Sequence, residues 1–232
     1  MSMVAAPKQS AIQRTRSENT RQRLIDAALV AFGAYGFDGA STRRIAEKAG
    51  ANLAAIPYYF GGKEGLYRAA AQSVVEECKK EISPAVQKAN WLCAQREVSR
   101  RAALRVLYEL LDRFSSVVIR PSEADNWSSF VMREQLQPGA AFEILYEGIM
   151  REVSQACMRL LAIALNRRGD NPEIAVRTHT ILGQITVFQT CRAVALRILG
   201  WQEYSPQHLK LIQKIVRENI DQITSSRAAR RQ

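Results

Sequence analysis

Two short helical patterns held apart by one glycine, Ser41 to Ala49 and then Leu53 to Tyr59 beyond Gly50, constrain this chain more than any other stretch. A glycine just past the last periodic residue stops the first helix, because it adopts the left-handed conformation that caps a helix C-terminus at no steric cost. Asn52 can cap the amides of the second helix with its side-chain oxygen. Two helices joined so tightly predict a helix-turn-helix, in which the first helix braces and the second lies in the major groove of DNA.

A third helix precedes this pair. Leu24, Ala27, Ala28, Ala31, Phe32 and Tyr35 recur at three- and four-residue steps between Thr20 and Tyr35, and Gly36 ends the pattern. Phe37 is expected to fold back as a core plug. Arg21 and Arg23 fall in the first turn of that helix, where its dipole slightly disfavours cations and a phosphate would reverse the mismatch. Residues 20–66 thus read as a three-helix head. Before it, residues 1–19 are polar, basic and aperiodic, which predicts a flexible arm. The formal charge of +11 favours a polyanionic partner, nucleic acid or an acidic membrane surface.

Beyond the head the pattern stays helical. A helix from Lys63 to about Trp91 carries Ser83-Pro84, which predicts a kink or break; others span 97–119, 126–136, 140–166, 172–199 and 206–224. No strand pattern competes, so the expected fold class is all-α. A second, helical domain is expected over 67–224, with a frayed tail at 225–232. Ile181, Ile185, Phe188, Cys191 and Ala195 line one face of the penultimate helix, and Leu209, Ile212, Val216, Ile220 and Ile223 one face of the last. Such broad apolar surface fits either a monomer core or a two-fold four-helix interface, and the latter suits a reader of palindromic DNA.

Several classes are disfavoured. Cys78, Cys93, Cys157 and Cys191 are widely spaced with no metal-ligand pattern, and read as reduced thiols of a cytoplasmic protein. Two histidines, no phosphate-binding glycine loop and no nucleophile elbow leave little for an enzyme, so neither cofactor, metal nor catalytic residue is expected. No apolar run reaches the length of a membrane span.

Ala27 to Gly36, Thr42, Ile45, Ala46, Ala49, Gly50, Tyr59-Phe60, Lys63-Glu64 and Leu66 together resemble the TetR family of bacterial transcriptional regulators. Tyr58-Tyr59-Phe60-Gly61-Gly62-Lys63-Glu64 and Phe130-Val131-Met132-Arg133-Glu134-Gln135-Leu136-Gln137-Pro138 look like its CecR (YbiH) branch. The resemblance implies a homodimer that binds a palindromic double-stranded operator and releases it when a small molecule enters the C-terminal domain, often controlling transport or efflux genes. The alternative is a module of the same fold that serves architecture or protein interaction without an effector.

Residue roles follow from chemistry. Thr42, at the N-terminus of the bracing helix, can hold a phosphate with Arg43 and Arg44 beside it, one of which can instead reach a base. Asn52, Leu53, Ala54 and Ala55 open the reading helix; the last three carry no hydrogen-bonding side chain, so thymine methyls and groove shape should dominate. Tyr59 is assigned a phosphate hydrogen bond and Tyr58 a phosphate or base contact, the alternative for either being a ring packed inside the head. Lys63 reads as a phosphate clamp. Pro57 should shorten or distort the reading helix. For the effector, Trp127, Phe130, Arg133, Gln135, Phe142, Tyr146 and His179 are the candidates, although Trp127, Phe142 and His179 also read as ordinary core. A buried Arg133 without a carboxylate would point to an anionic or carbonyl-bearing effector.

Overall fold

The computed structural model describes residues 6–119 and 127–225, with side chains from Ser17 onward, and every regular element among them is helical. In chain order these are α1 (Ala6–Gly39), α2 (Thr42–Lys48), α3 (Ala55–Phe60), α4 (Lys63–Cys93), α5 (Arg100–Val118), α6 (Ser128–Leu136), α7 (Phe142–Leu145), a π-helical turn (Tyr146–Met150), α8 (Arg151–Ala164), α9 (Pro172–Thr190), α10 (Arg192–Leu199) and α11 (Pro206–Ser225). They form two compact units. The first holds α1 to α3, α4 as far as Val75, α6 and α7; the second holds α4 from Glu76, α5 and everything from Tyr146 on.

This division differs from the expected break at residue 66. The head has recruited α6 and α7, elements that lie some sixty residues beyond it in sequence. The expected arm over 1–19 is also corrected, because the backbone is helical from Ala6. Aperiodic polarity removes a reason to pack, but Ala, Gln, Arg and Lys retain good helix propensity, and Pro7 in a first turn has no intrahelical donor to lose. Arg21 and Arg23 are therefore helix-interior, and the dipole mismatch expected for them is absent. Residues 1–5 and 226–232, with the basic tail, lie outside the described residues, as do residues 120–126.

In the first unit Leu24, Ala28, Phe32, Ile45, Ile56, Leu66 and Phe130 are almost fully buried. Phe37, half-buried, packs beside them as expected, 6.3 Å from Phe32 and 5.1 Å from Tyr67 between ring centroids. α4 runs on through Pro84 as one helical assignment, although a kink or break was expected there. The lost hydrogen bond is offset by burial of Ile82, Ala85, Val86 and Ala89 around it.

In the second unit α5, α8, α9 and α11 pack around Leu107, Leu110, Leu160, Ile181, Ile185 and Ile220. The single helix expected over 172–199 is two, separated at Cys191, and Gly200 closes the second in the left-handed conformation. The apolar stripes read as a subunit interface divide differently from the expectation. Ile181, Ile185, Ile212, Val216 and Ile220 are core, while Val187, Val194, Ile198, Leu211 and Ile215 face outward. Periodicity identifies apolar faces but not which of two apolar faces meets the unit's own core.

Cys157 is wholly buried, and desolvation pushes its thiol up to about 12. The thiolate is the reactive form, so burial makes this cysteine inert. Iodoacetamide at pH 8 is expected to leave Cys157 unmodified in the native protein and to alkylate it after denaturation; mass spectrometry of the peptide gives the answer, and rapid native alkylation would contradict the packing.

Candidate nucleic-acid interface

Ser41, not Thr42, caps α2: its backbone is extended and its hydroxyl accepts from the Arg44 amide at 3.5 Å. At the other end the Ala51 amide donates to the Ala46 carbonyl and the Gly50 amide to that of Glu47, both at 3.0 Å. This pair of bonds, with Gly50 at φ 58°, is a Schellman cap, so the glycine read from sequence does close the helix.

Asn52 Oδ1 accepts from the Ala54 amide at 2.9 Å in an Asx turn just before α3, whose N-cap is Ala54, so Asn52 shapes the entry to the helix rather than capping its amides as expected. The approach to α3 is a tighter turn, in which Ala55 bonds to the Asn52 carbonyl and Ile56 to that of Leu53. Pro57 follows in the first turn of α3. Its missing donor would have pointed to Leu53, whose carbonyl already accepts from Ile56 at 3.2 Å. The proline therefore costs no hydrogen bond, although α3 is short, at six residues.

Arg43 and Arg44 are exposed, with only a long 3.9 Å contact from Arg43 to Glu47. An exposed pair of that kind holds the guanidinium weakly, which leaves it available to a phosphate. Thr42 is half-buried; Asn52, Leu53, Ala54 and Tyr58 are exposed, Tyr58 at 80%, and Ala55 is half-buried. Tyr59 is half-buried, packs edge-on against Tyr58 and Phe60, and shares a 3.0 Å hydrogen bond with the Ser17 hydroxyl. Of the two readings, Tyr58 is the open ring and Tyr59 the packed one, with its hydroxyl already engaged.

Lys63 is also engaged. Its ammonium lies 4.9 Å from the centre of the Phe37 ring and donates to the Asp38 carbonyl at 3.2 Å. The two cations singled out in α1 stand here as well: Arg21 over the Phe60 ring at 5.5 Å, and Arg23 beside Gly50. Their signal was present in the basic spacing of α1 but was misread as a first turn.

The seven effector candidates divide between the two units. Trp127, Phe130, Arg133, Gln135 and Phe142 belong to the first unit, Tyr146 and His179 to the second. Phe130 is fully buried and edge-on to Tyr67 at 5.1 Å; Trp127 and Phe142 are half-buried. Gln135, Tyr146 and His179 are exposed, which corrects both readings of His179. Arg133 donates to the carbonyls of Gly33 and Ala34 at 3.3 and 3.2 Å, just where Gly36 interrupts α1 with φ 72°. Those carbonyls, freed by the break, replace the carboxylate or effector that a buried arginine seemed to demand.

Glu134, 2% exposed, completes the anchor. It accepts from the Tyr67 hydroxyl and, through Oε2, from the Gly139 amide at 3.1 Å. Burial first, then the bond to Glu134 and its charge, raise the Tyr67 phenol above its ordinary value. Gly33 permits the approach: a Cβ there would stand 3.0 Å from the Phe130 amide nitrogen. Phe130, Arg133 and Glu134 thus fasten α6 into the head.

Comparison with known proteins agrees with this architecture. Residues 24–70 match the model of the bacterial regulatory proteins of the tetR family, and residues 103–225 that of the C-terminal domain of the HTH-type transcriptional dual regulator CecR. Over 208 residues, covering 90% of this chain and 92% of the relative, the chain is 34% identical to the dual regulator CecR of Shigella flexneri. It is 34% identical over 94 residues, 39% of this chain and 44% of the relative, to the regulatory protein RaaS of Mycobacterium tuberculosis. Among solved structures, a transcriptional regulator from Rhodococcus superposes with TM-score 0.57 at 19% identity, covering 87% of this chain and 96% of that one. The hemolysin II regulator HlyIIR gives 0.54 at 18%, covering 86% and 97%. These two structural likenesses speak for the fold.

Proposed function

The chain belongs to the TetR family of DNA-binding transcriptional regulators and carries a CecR-type C-terminal domain; from that premise we propose that it works as a cytoplasmic homodimer, repressing from a palindromic operator until a small molecule releases it. The observation that carries the DNA-contact assignment is the surface of α2, the α2–α3 turn and α3, where Arg43, Arg44, Asn52, Leu53 and Tyr58 are all exposed. Thr42, Arg43 and Arg44 bind phosphates, Tyr58 meets backbone or base, and Leu53, Ala54 and Ala55 read methyls and groove shape. Tyr59 contributes through a hydroxyl that can bridge Ser17 and a phosphate, and Lys63 by exchanging the Asp38 carbonyl for one.

The outward residues Val187, Val194, Ile198, Leu211 and Ile215 support the second subunit's place against α9, α10 and α11. Release is a population shift, in which the effector favours a state whose heads no longer match successive major grooves. Transport or efflux genes are the proposed targets, a reading that comes from the resemblance.

Selection of bound sequences from random DNA tests the core of this reading, and a two-fold symmetric motif is the expected result. An asymmetric motif would overturn the dimer. On the selected site, Arg43→Ala with Arg44→Ala should weaken binding at all sequences. It should also reduce the slope of log K against log salt by about 0.9 for each phosphate that the variant no longer neutralises.

A further inference from the structure

A groove of about 1410 Å³ lies between α5 and α11 in the second unit. Arg101, Arg105, Tyr108 and Asp112 follow one another at steps of four, three and four, so one face of α5 presents all of them to it. α11 supplies Arg217 and Asp221. The carboxylates of this wall already have partners: Asp112 takes Arg217, Asp221 accepts from the Tyr108 hydroxyl, and Glu109 takes Lys88. The Arg217 guanidinium also stands 5.7 Å from the centre of the Tyr108 ring. Arg113 is held 4.0 Å from Glu81.

Arg100, Arg101 and Arg105 line the same groove and enter no salt bridge among the described residues. Arg101 and Arg105 are four residues apart on one helix, an arrangement that repels rather than stabilises. Three guanidinium forks with no acid partner among the described residues line a groove in which Glu109 and Asp112 are paired with cations and Asp221 is hydrogen-bonded by Tyr108, and such forks are a binding surface for a compact negative charge.

We propose that this groove binds a small polyanion, one bearing two or more phosphate or carboxylate groups, with Arg101 and Arg105 as its principal contacts. A nucleic-acid backbone fits less well, because Glu109, Asp112 and Asp221 interrupt the basic surface rather than leaving a continuous track. The residues of the groove belong to the second unit and those of the helix-turn-helix to the first, so the proposal does not depend on the operator reading.

Calorimetric titration of the full chain with sodium tripolyphosphate, and separately with citrate, at matched ionic strength tests it. One site per chain is expected for at least one of them, and which one binds identifies the group recognised. Arg101→Gln with Arg105→Gln should weaken that binding by at least about tenfold, since each fork carries a charge-assisted hydrogen bond. Arg101→Glu with Arg105→Glu should abolish it, while Arg43→Ala with Arg44→Ala changes it less than about twofold. Circular dichroism confirms that the exposed substitutions leave the fold intact, and the glutamine pair keeps the test open should the charge reversal not fold. Absence of saturable binding by either anion overturns the proposal. So does equal affinity in the glutamine pair, or a comparable loss in the Arg43/Arg44 variant, which would place the anion on the helix-turn-helix.

Discussion

Gly65→Ala is expected to cut affinity for the selected DNA site by about a hundredfold, and it would do so without altering any group that meets the DNA. A Cβ at residue 65 would lie 1.7 Å from the carbonyl oxygen of Phe60, the last residue of α3. Both atoms in that clash are tied to backbone, so no rotamer change relieves it and the α3–α4 turn must open. Overpacking costs reach about 3 kcal/mol when the backbone has to move, which is about two decades in an equilibrium constant. The displaced element is the reading helix, so the loss falls on DNA binding. Gly61→Asn supplies the contrast. Gly61 has φ 73° but nothing within 4 Å of its Cβ position. Asparagine tolerates that conformation and should cost about 1 kcal/mol or less. Electrophoretic mobility shifts of the two variants against the parent decide the matter. If Gly65→Ala binds within about threefold of the parent, the close approach does not set the position of α3.

That glycine also marks how far the sequence could be read. Gly50 was legible because a cap is local, and Asn52 in part: the residues that make the Schellman and Asx bonds lie within five positions of one another. Gly65 was passed over because its partner is a carbonyl, and carbonyls leave no trace in residue identity. Pro57 was half legible: α3 is short, as expected, but the proline forfeits no hydrogen bond. Whether it sits in the first or second turn depends on where α3 starts, and boundaries are the least certain part of a periodicity reading. The docking of α6 was hidden at longer range. Phe130 and Arg133 looked like pocket residues because an aromatic and a cation on a C-terminal helix fit a ligand site as well as they fit a docking site. The partners of this helix, Gly33 and Ala34 for Arg133 and Tyr67 for Glu134, lie up to a hundred residues away. The clue was the pair Gly33 and Gly36 inside the apolar stretch that ends α1. The first admits the α6 backbone; the second frees the carbonyls that Arg133 takes. The same ambiguity governs α11, where two apolar faces carry similar periodicity and only one of them is core.

The docking of α6 carries the second large effect. Phe130→Ala should destabilise the first unit by about 3–5 kcal/mol, the cost of removing a fully buried ring from a packed site that cannot collapse. Phe130 is 0% exposed, its ring meets Tyr67 edge-on, and Tyr67 in turn meets Phe32 at 4.7 Å and Phe37 at 5.1 Å. Losing one member of this cluster leaves a void flanked by aromatic edges and loosens the helix that carries Arg133 and Glu134. Tyr67→Phe should cost less, about 1–3 kcal/mol, since Glu134 would keep only the Gly139 amide while remaining buried. Because the chain has two units, a single unfolding midpoint would blend them. Hydrogen exchange read peptide by peptide separates them. Protection in α1 should fall by about two to four decades in Phe130→Ala while α8 keeps its own. Equal loss in both helices would mean that the two units open as one, and unchanged protection in α1 would mean that α6 is not part of what holds the head together. The first outcome matters for regulation as well as for stability. The chain passes from α6 and α7 straight into the π-helical turn at Tyr146 and on to α8. An element anchored in the head by three side chains is therefore continuous with the core of the second unit. Equal loss of protection in α1 and α8 would be the sign that this covalent run, or α4, couples the two units.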